Sequence, residues 1–323
     1  MSRYGDLAIA AAAFAALAVT LPAQRAPERR LSQLVWVDRA GKKLSTVTGL
    51  ADFGNIELSP DRKQVAAAVL NDQTGQRELW LYDAEGRTEG KTRTRVDDNV
   101  ADENWMIWSP DGRRIAYNSQ RTKGLDVYGR DVGSRLENLL AIDEERGQWP
   151  VSWSPDGKNL LVVTNTADTG NDIWVLPLGR NSKPYPFLAS AAQENWAAFS
   201  PNGRWVAFSF AERGDETQLY VTTFPKAGRR YLVSGRGGFQ ARWRRDGREL
   251  FFLATNGTLT TSLMAAEVDS DASEFELKDV KKLFDISVPY PPYHAFDVSA
   301  DGQRILIDSL LLGSGATSAR LGP

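Results

Sequence analysis

A five-residue turn recurs along the chain and dictates its architecture. WSPDG at 108–112 returns as WSPDG at 153–157, FSPNG at 199–203, WRRDG at 243–247 and VSADG at 298–302, with a looser copy, LSPDR, at 58–62. Proline pre-sets φ for the second turn position. Aspartate accepts hydrogen bonds from nearby backbone N–H groups, and glycine takes the left-handed conformation that ends a type I turn with a bulge. Asp111, Gly112, Asp156, Gly157, Asn202, Gly203, Asp246, Gly247, Asp301 and Gly302 are therefore read as structural turn residues. Branched and aromatic runs follow the turns, as in RRIAYNS (113–119), KNLLVVTN (158–165) and RWVAFSF (204–210), which is the pattern of a hairpin. The turn Asp/Asn positions 61, 111, 156, 202, 246 and 301 lie 50, 45, 46, 44 and 55 residues apart. An all-strand period of roughly 40–50 residues is that of a propeller blade. The sequence predicts an all-β fold: one six-bladed β-propeller of four-stranded blades over residues 31–309.

Each repeat reads as strand a, turn, strand b, polar loop, strand c, turn, strand d. The c strands stand out as ELWLYD (78–83), LDVYGRD (125–131), DIWVLPL (172–178) and QLYVTTF (218–224). LVWVDRAGKKLSTV (34–47) resembles the second half of a blade, and AFDVSADGQRILIDS (295–309) has only a first half. The two are expected to form one blade, the N-terminal hairpin closing the ring and removing the exposed sheet edges. The fifth repeat is irregular, with a charged DSDASEFELKD segment. Pro289, Pro291 and Pro292 mark 285–297 as a loop. Residues 310–323 read as a tail.

Residues 1–30 differ in kind. Arg3 precedes a 15-residue apolar run, Leu7 to Leu21, followed by Pro22 and Ala23. This reads as a signal peptide cleaved near Ala23. The alternatives are an uncleaved anchor, although the run falls short of the roughly 20 residues that span a bilayer, and a cytosolic or misassigned start. Either of the first two readings puts the domain outside the cytoplasm: periplasmic or secreted, or anchored to the inner membrane by this segment, the one membrane contact expected.

Composition narrows the chemistry. Lys and Arg number 39 against 41 Asp and Glu, for a net charge of −2. That balance gives no reason to expect a nucleic-acid partner. With no cysteine, disulfides, zinc-thiolate sites and catalytic thiols are excluded. The single histidine, His294, excludes a multi-histidine metal site. It reads as a loop residue at the mouth of the last blade, and the chain has no G-x-S-x-G nucleophile elbow. GRTEGKT (86–92) is one residue short of a phosphate loop. DSDASE (269–274) lacks the glycine and terminal glutamate of a calcium loop, and the acidic runs DDNVADE (97–103) and DEE (143–145) read as solvated. No catalytic residue, metal or cofactor is expected.

The most informative positions lie six and seven residues before each turn Asp/Asn: Gly54-Asn55, Asn104-Trp105, Trp149-Pro150, Asn195-Trp196, Phe239-Gln240 and His294-Ala295. In a propeller these would ring the central channel on the face opposite the turns. Aromatics beside Asn and Gln suit a peptide or glycan ligand, so Asn55, Asn104, Trp105, Trp149, Asn195, Trp196, Phe239, Gln240 and His294 are the candidate binding ring. The alternative, that these aromatics plug the channel mouth as structure, stands beside it. Trp108, Trp153, Phe199 and Trp243 are expected to be core between blades.

WSPDGRRIAYNS…LDVYGRD, WSPDGKNLLVVTN…NDIWVLPL and FSPNGRWVAFSF…QLYVTTFP resemble the TolB-type, WD-repeat-like propeller repeats of bacteria. The combination of LVWVDRAGK, PNGRWVAFSF and WRRDGRELFFLA is similar to the propeller segment of bacterial eukaryotic-like serine/threonine receptor kinases. No kinase Gly-rich loop, H-R-D or D-F-G sequence is present, so kinase activity is not carried over. The expected function is a non-catalytic, extracytoplasmic scaffold, a monomer, binding a protein, peptide or envelope ligand. The alternatives are a sensor partnering a separate kinase or transporter, and a hydrolase or lyase with a channel-face site.

Overall fold

The computed structural model describes residues 31–87, 93–96, 101–121, 124–134, 136–141, 147–166, 168–180, 182–212, 215–255, 261–288 and 293–310. The expected leader (1–30), parts of the phosphate-loop-like and acidic runs (88–92, 97–100, 142–146), the proline loop (289–292) and the tail (311–323) lie outside the described residues.

All regular structure among the described residues is β. The chain opens with β1 (Ser32–Asp38) and β2 (Lys43–Thr46). Blade 1 is β3 (Phe53–Leu58), β4 (Gln64–Leu70), β5 (Arg77–Asp83) and β6 (Arg93–Arg95). Blade 2 is β7 (Glu103–Trp108), β8 (Arg114–Ser119), β9 (Asp126–Asp131) and β10 (Glu137–Ala141). Blade 3 is β11 (Gly147–Trp153), β12 (Asn159–Thr166), β13 (Gly170–Pro177) and β14 (Tyr185–Leu188). Blade 4 is β15 (Gln193–Phe199), β16 (Trp205–Ala211), β17 (Gln218–Thr223) and β18 (Tyr231–Leu232). Blade 5 is β19 (Phe239–Trp243), β20 (Glu249–Thr255), β21 (Thr261–Asp269) and β22 (Glu276–Ile286), and the chain closes with β23 (Phe296–Val298) and β24 (Arg304–Leu310). The sheets are six antiparallel four-stranded blades, the sixth ordered β2-β1-β24-β23. The sixth blade is thus shared between the chain ends, with β1 and β24 in register from Ser32–Leu310 to Asp38–Arg304, as expected from the two half-repeats.

Both faces of each blade are covered by neighbours. Strands b and c therefore read as continuous apolar runs rather than alternating ones. In blade 3, Leu161, Val163, Ile173 and Val175 pack towards blade 4, while Leu160, Val162 and Leu176 pack towards blade 2. Fully burying one such side chain is worth about 1.5–3 kcal/mol. Trp108, Trp153, Phe199 and Trp243 are buried, and the Trp243 indole N–H donates to the Ala198 carbonyl of the preceding blade at 3.2 Å.

The turns form as their residues dictate. In blade 3 the Ser154 hydroxyl donates to Asp156 Oδ1 at 2.6 Å, and Asp156 Oδ1 accepts from Lys158 N–H. The same serine accepts from Asn159 N–H. Hydroxyl donation holds the Asp111, Asp156 and Asp301 carboxyls below their ordinary range. In blade 5 Arg244 replaces the serine and donates to Asp246 instead. The looser LSPDR copy puts Arg62 at the left-handed position, φ 61°.

The charged stretch after blade 5's third strand departs from its sequence reading. It forms β22, an 11-residue strand that is mostly exposed. A strand d lies on the rim with one edge in water, so it needs no apolar pattern. DSDASE is a turn in which Asp269 Oδ1 accepts from the Asp271 and Ala272 N–H groups.

Gly157 sits at φ 73°, where a β-branched residue is strained. Gly157→Val is expected to cost about 1–3 kcal/mol and to lower the melting temperature by several degrees. An unchanged transition would contradict the turn geometry.

Candidate functional site

Strand a of each blade lines the channel, and in the first five blades it bulges near its start. The register slips between Phe53 and Ile56, Asn104 and Ile107, Pro150 and Ser152, Asn195 and Ala198, and Phe239 and Arg242. A bulge re-aims the side chains it carries. At Trp105, Trp196 and Gln240 it also forces φ to 45°, 46° and 55°, a region costly for any residue but glycine.

The candidate ring divides into two kinds of residue. Asn55, Gln240 and His294 are 0, 1 and 2% exposed, enclosed between blades rather than open at the channel mouth. Asn55 Nδ2 donates to the Met106 carbonyl of blade 2 at 2.9 Å, and its Oδ1 accepts from His294 N–H of blade 6. Gln240 Nε2 donates to the Tyr293 carbonyl, and its Oε1 accepts from Ala295 N–H. These amides staple strand a of one blade to its neighbours. Asn104 is buried, and its Oδ1 lies against Gly54, where a Cβ would come within 2.8 Å.

The aromatics meet across the channel. The Trp105 ring of blade 2 lies 5.9 Å from Trp149 of blade 3, and 6.0 and 5.9 Å from Tyr293 and His294 of blade 6. Blades 2 and 6 are separated by blade 1, so Trp105 reaches across the mouth. Trp196 packs on Phe239 at 5.4 Å. Trp105 and Phe239 are each 8% exposed, while Trp149, Asn195, Trp196 and Tyr293 are half-buried. None of the nine ring residues is fully exposed; the aromatics form a plug with a half-exposed surface. The Trp149 and Trp196 indole nitrogens have no hydrogen-bond partner among the described residues. His294 is enclosed rather than on a loop surface. Burial, with the Arg242 guanidinium second, holds its imidazole well below the ordinary histidine pKa, so it is neutral.

Below the plug is a polar belt that the sequence reading missed. The positions four before each turn Asp/Asn are Glu57, Ile107, Ser152, Ala198, Arg242 and Asp297. Three of these bond the next blade in one way. Glu57 Oε2 accepts from Trp108 N–H (3.3 Å), Ser152 Oγ from Phe199 N–H (3.0 Å) and Asp297 Oδ2 from Leu58 N–H (2.8 Å). Arg62, from the deviant turn, reaches Asp297 at 3.5 Å. The signal in the sequence was a charged side chain within a short, buried strand a: Glu57 in NIEL, Arg242 in QARW and Asp297 in AFDV.

Burial raises the Glu57 carboxyl from an ordinary 4.5 to about 8. Arg242 and Arg62 oppose that rise and Asp297 adds to it. The native state therefore keeps a proton between roughly pH 4.5 and 8 that the unfolded chain releases, and stability falls as pH rises through that window. Glu57→Gln is expected to match wild type near pH 4 and to become progressively more stable than it towards pH 8, read by urea unfolding. A constant difference across the range would contradict a protonated Glu57.

A cleft of about 690 Å³ lies away from the channel, between blades 5 and 6, where Arg39 and Arg244 both pair with Glu249. Among the described residues no group of three or more His, Cys, Asp or Glu side chains is placed to hold a metal ion, and no helix is long and apolar enough to cross a membrane.

Comparison with known proteins agrees with this geometry. The TolB beta propeller domain family matches residues 107–278. An uncharacterized protein of Agrobacterium fabrum is 29% identical over 167 residues, covering 50% of this chain and 53% of that one, so the match spans about half of the curated relative. Among solved structures, a protein assigned as TolB from Agrobacterium tumefaciens superposes with a TM-score of 0.67 at 16% identity, covering 87% of this chain and 99% of that one. An oligogalacturonate lyase from Vibrio parahaemolyticus gives a TM-score of 0.55 at 14% identity, covering 86% and 78%. At such identities these structures share the fold alone. The chain belongs to the TolB beta propeller domain family.

Proposed function

We propose that the chain is a non-catalytic binding scaffold whose channel mouth holds a peptide or protein segment. The observation that carries this reading is the Trp105–Trp149–Tyr293 cluster. It is assembled from three blades, half-exposed in part, and set on strands whose backbone is strained at Trp105. Strain of this kind is kept where the surroundings over-determine it, and it concentrates at ligand sites. Aromatics on a closed ring lose little freedom when a ligand docks. In this reading the chain works outside the cytoplasm, periplasmic or secreted, with residues 1–30 as leader or anchor.

A second reading, a channel hydrolase or lyase, draws on Glu57 and Asp297, two carboxylates in one belt with distinct environments. Both, however, accept backbone N–H bonds that join blades, and this favours a structural role for them.

The test is capture from a bacterial envelope extract by the intact chain and by a Trp105/Trp149/Trp196→Ala variant whose β circular dichroism matches wild type. A partner held by wild type and lost by the variant is expected. Equal capture by both would move the binding surface away from the mouth.

A further inference from the structure

Arg242 acts electrostatically on Glu57 and His294, yet makes no ion pair among the described residues. It lies on β19 at the belt position, 8% exposed. Its Nε donates to the Phe296 carbonyl at a long 3.4 Å, and its Nη2 is enclosed without a partner among the described residues. No carboxylate oxygen lies within 4.0 Å of it among the described residues. The two carboxyls that share the belt are committed elsewhere. Asp297 accepts from Leu58 N–H and Arg62 through Oδ2 and from Val298 N–H through Oδ1, and Glu57 accepts from Trp108 N–H. His294 is neutral, and neither ring nitrogen has a hydrogen-bond partner among the described residues. An enclosed guanidinium without a counter-charge is far costlier than a paired one. It is tolerated where a ligand supplies the charge.

We propose that Arg242 anchors a carboxylate-binding subsite inside the channel, filled by a carboxylate of the peptide ligand while its apolar part lies against the Trp105 cluster. The subsite rests on the scaffold reading and gives it a ligand chemistry. A guanidinium binds a carboxylate strongly because two N–H groups can donate in parallel. One unpaired cation beside a neutral acid and a neutral imidazole matches a single negative charge rather than a dianion.

The belt also makes binding pH-dependent. Glu57 is faced by Arg242 from blade 5, Asp297 from blade 6, Arg62 from its own blade's turn and Trp108 N–H from blade 2. While protonated it offers an O–H to the bound carboxylate. Once ionised, above about pH 8, it repels the ligand and competes for Arg242, so affinity falls.

The test is a ligand-observed NMR titration of the full chain with N-acetylphenylalanine and its uncharged amide, N-acetylphenylalaninamide. N-acetyl-Phe-Glu-amide distinguishes a side-chain carboxylate from a chain terminus. At pH 7 a carboxylate probe is expected to bind wild type on the order of tenfold or more tighter than the amide. Arg242→Met should abolish that preference. Wild type should lose it by pH 9, and Glu57→Gln should keep it there. Equal binding of acids and amide by wild type overturns the subsite, as does a preference that survives Arg242→Met. The wild-type comparison and its pH profile stand even if Arg242→Met fails to fold. Loss of the carboxylate preference with envelope capture at the aromatic mouth intact would remove the subsite and leave the scaffold reading in place.

Discussion

The pairing of β1 with β24 is the constraint on which the rest depends. Seven residues from one end of the chain meet seven from the other, Ser32 to Asp38 against Leu310 to Arg304. This turns a row of blades into a ring. Trp36 extends the closure to blade 1: its side chain is 1% exposed and its indole N–H donates to the Ala84 carbonyl at 2.6 Å. Arg304 lies over the same ring at 4.6 Å. Without closure β1 and β24 would each present an unpaired edge, and no channel would exist for strand a side chains to line.

Closure also explains why the channel is so polar. Six strands a converge on one axis, and each leaves backbone N–H and C=O groups pointing at the next blade rather than along a ladder. Asn55, Gln240, Glu57, Ser152 and Asp297 satisfy those groups. Any binding function must therefore be built from what the stapling leaves over. What is left is a half-exposed aromatic cluster at the mouth and, beneath it, the Arg242 guanidinium, which has no ion pair among the described residues. Structural and functional readings of these strands are two uses of the same convergence.

The ring was legible in the sequence because its turns are local. Ser154, Asp156 and Gly157 need only one another to form their turn, so six copies at a steady period report the blade count. The interior of the site was legible only in part. Trp105 and Gln240 occupy the same repeat position, yet one crosses the mouth and the other is sealed against blade 6. The bulge, the curvature of the ring and the size of each neighbour decide between those outcomes, and no single strand encodes them. His294 lies in the loop before β23, as its proline-rich approach suggested, but it is buried there and its backbone is tied to Asn55 and Ile56. The charged β22 escaped notice because a rim strand has no apolar signature, and Arg242 because one charge in a five-residue strand looks like noise until the other belt positions are aligned with it.

Ring closure by the chain ends is tested most directly by amide hydrogen exchange across the full chain with Val35 replaced by proline. Val35 lies mid-β1, facing Thr46 on one side and Ile307 on the other, and proline there removes an N–H and breaks the strand at a cost of roughly 3 kcal/mol or more. A closed ring predicts that protection falls beyond the sixth blade, in β3 and β4 of blade 1 and β19 and β20 of blade 5 as well as in β24. Fast exchange confined to β1 and β2, with the other five blades as protected as in wild type, would contradict it.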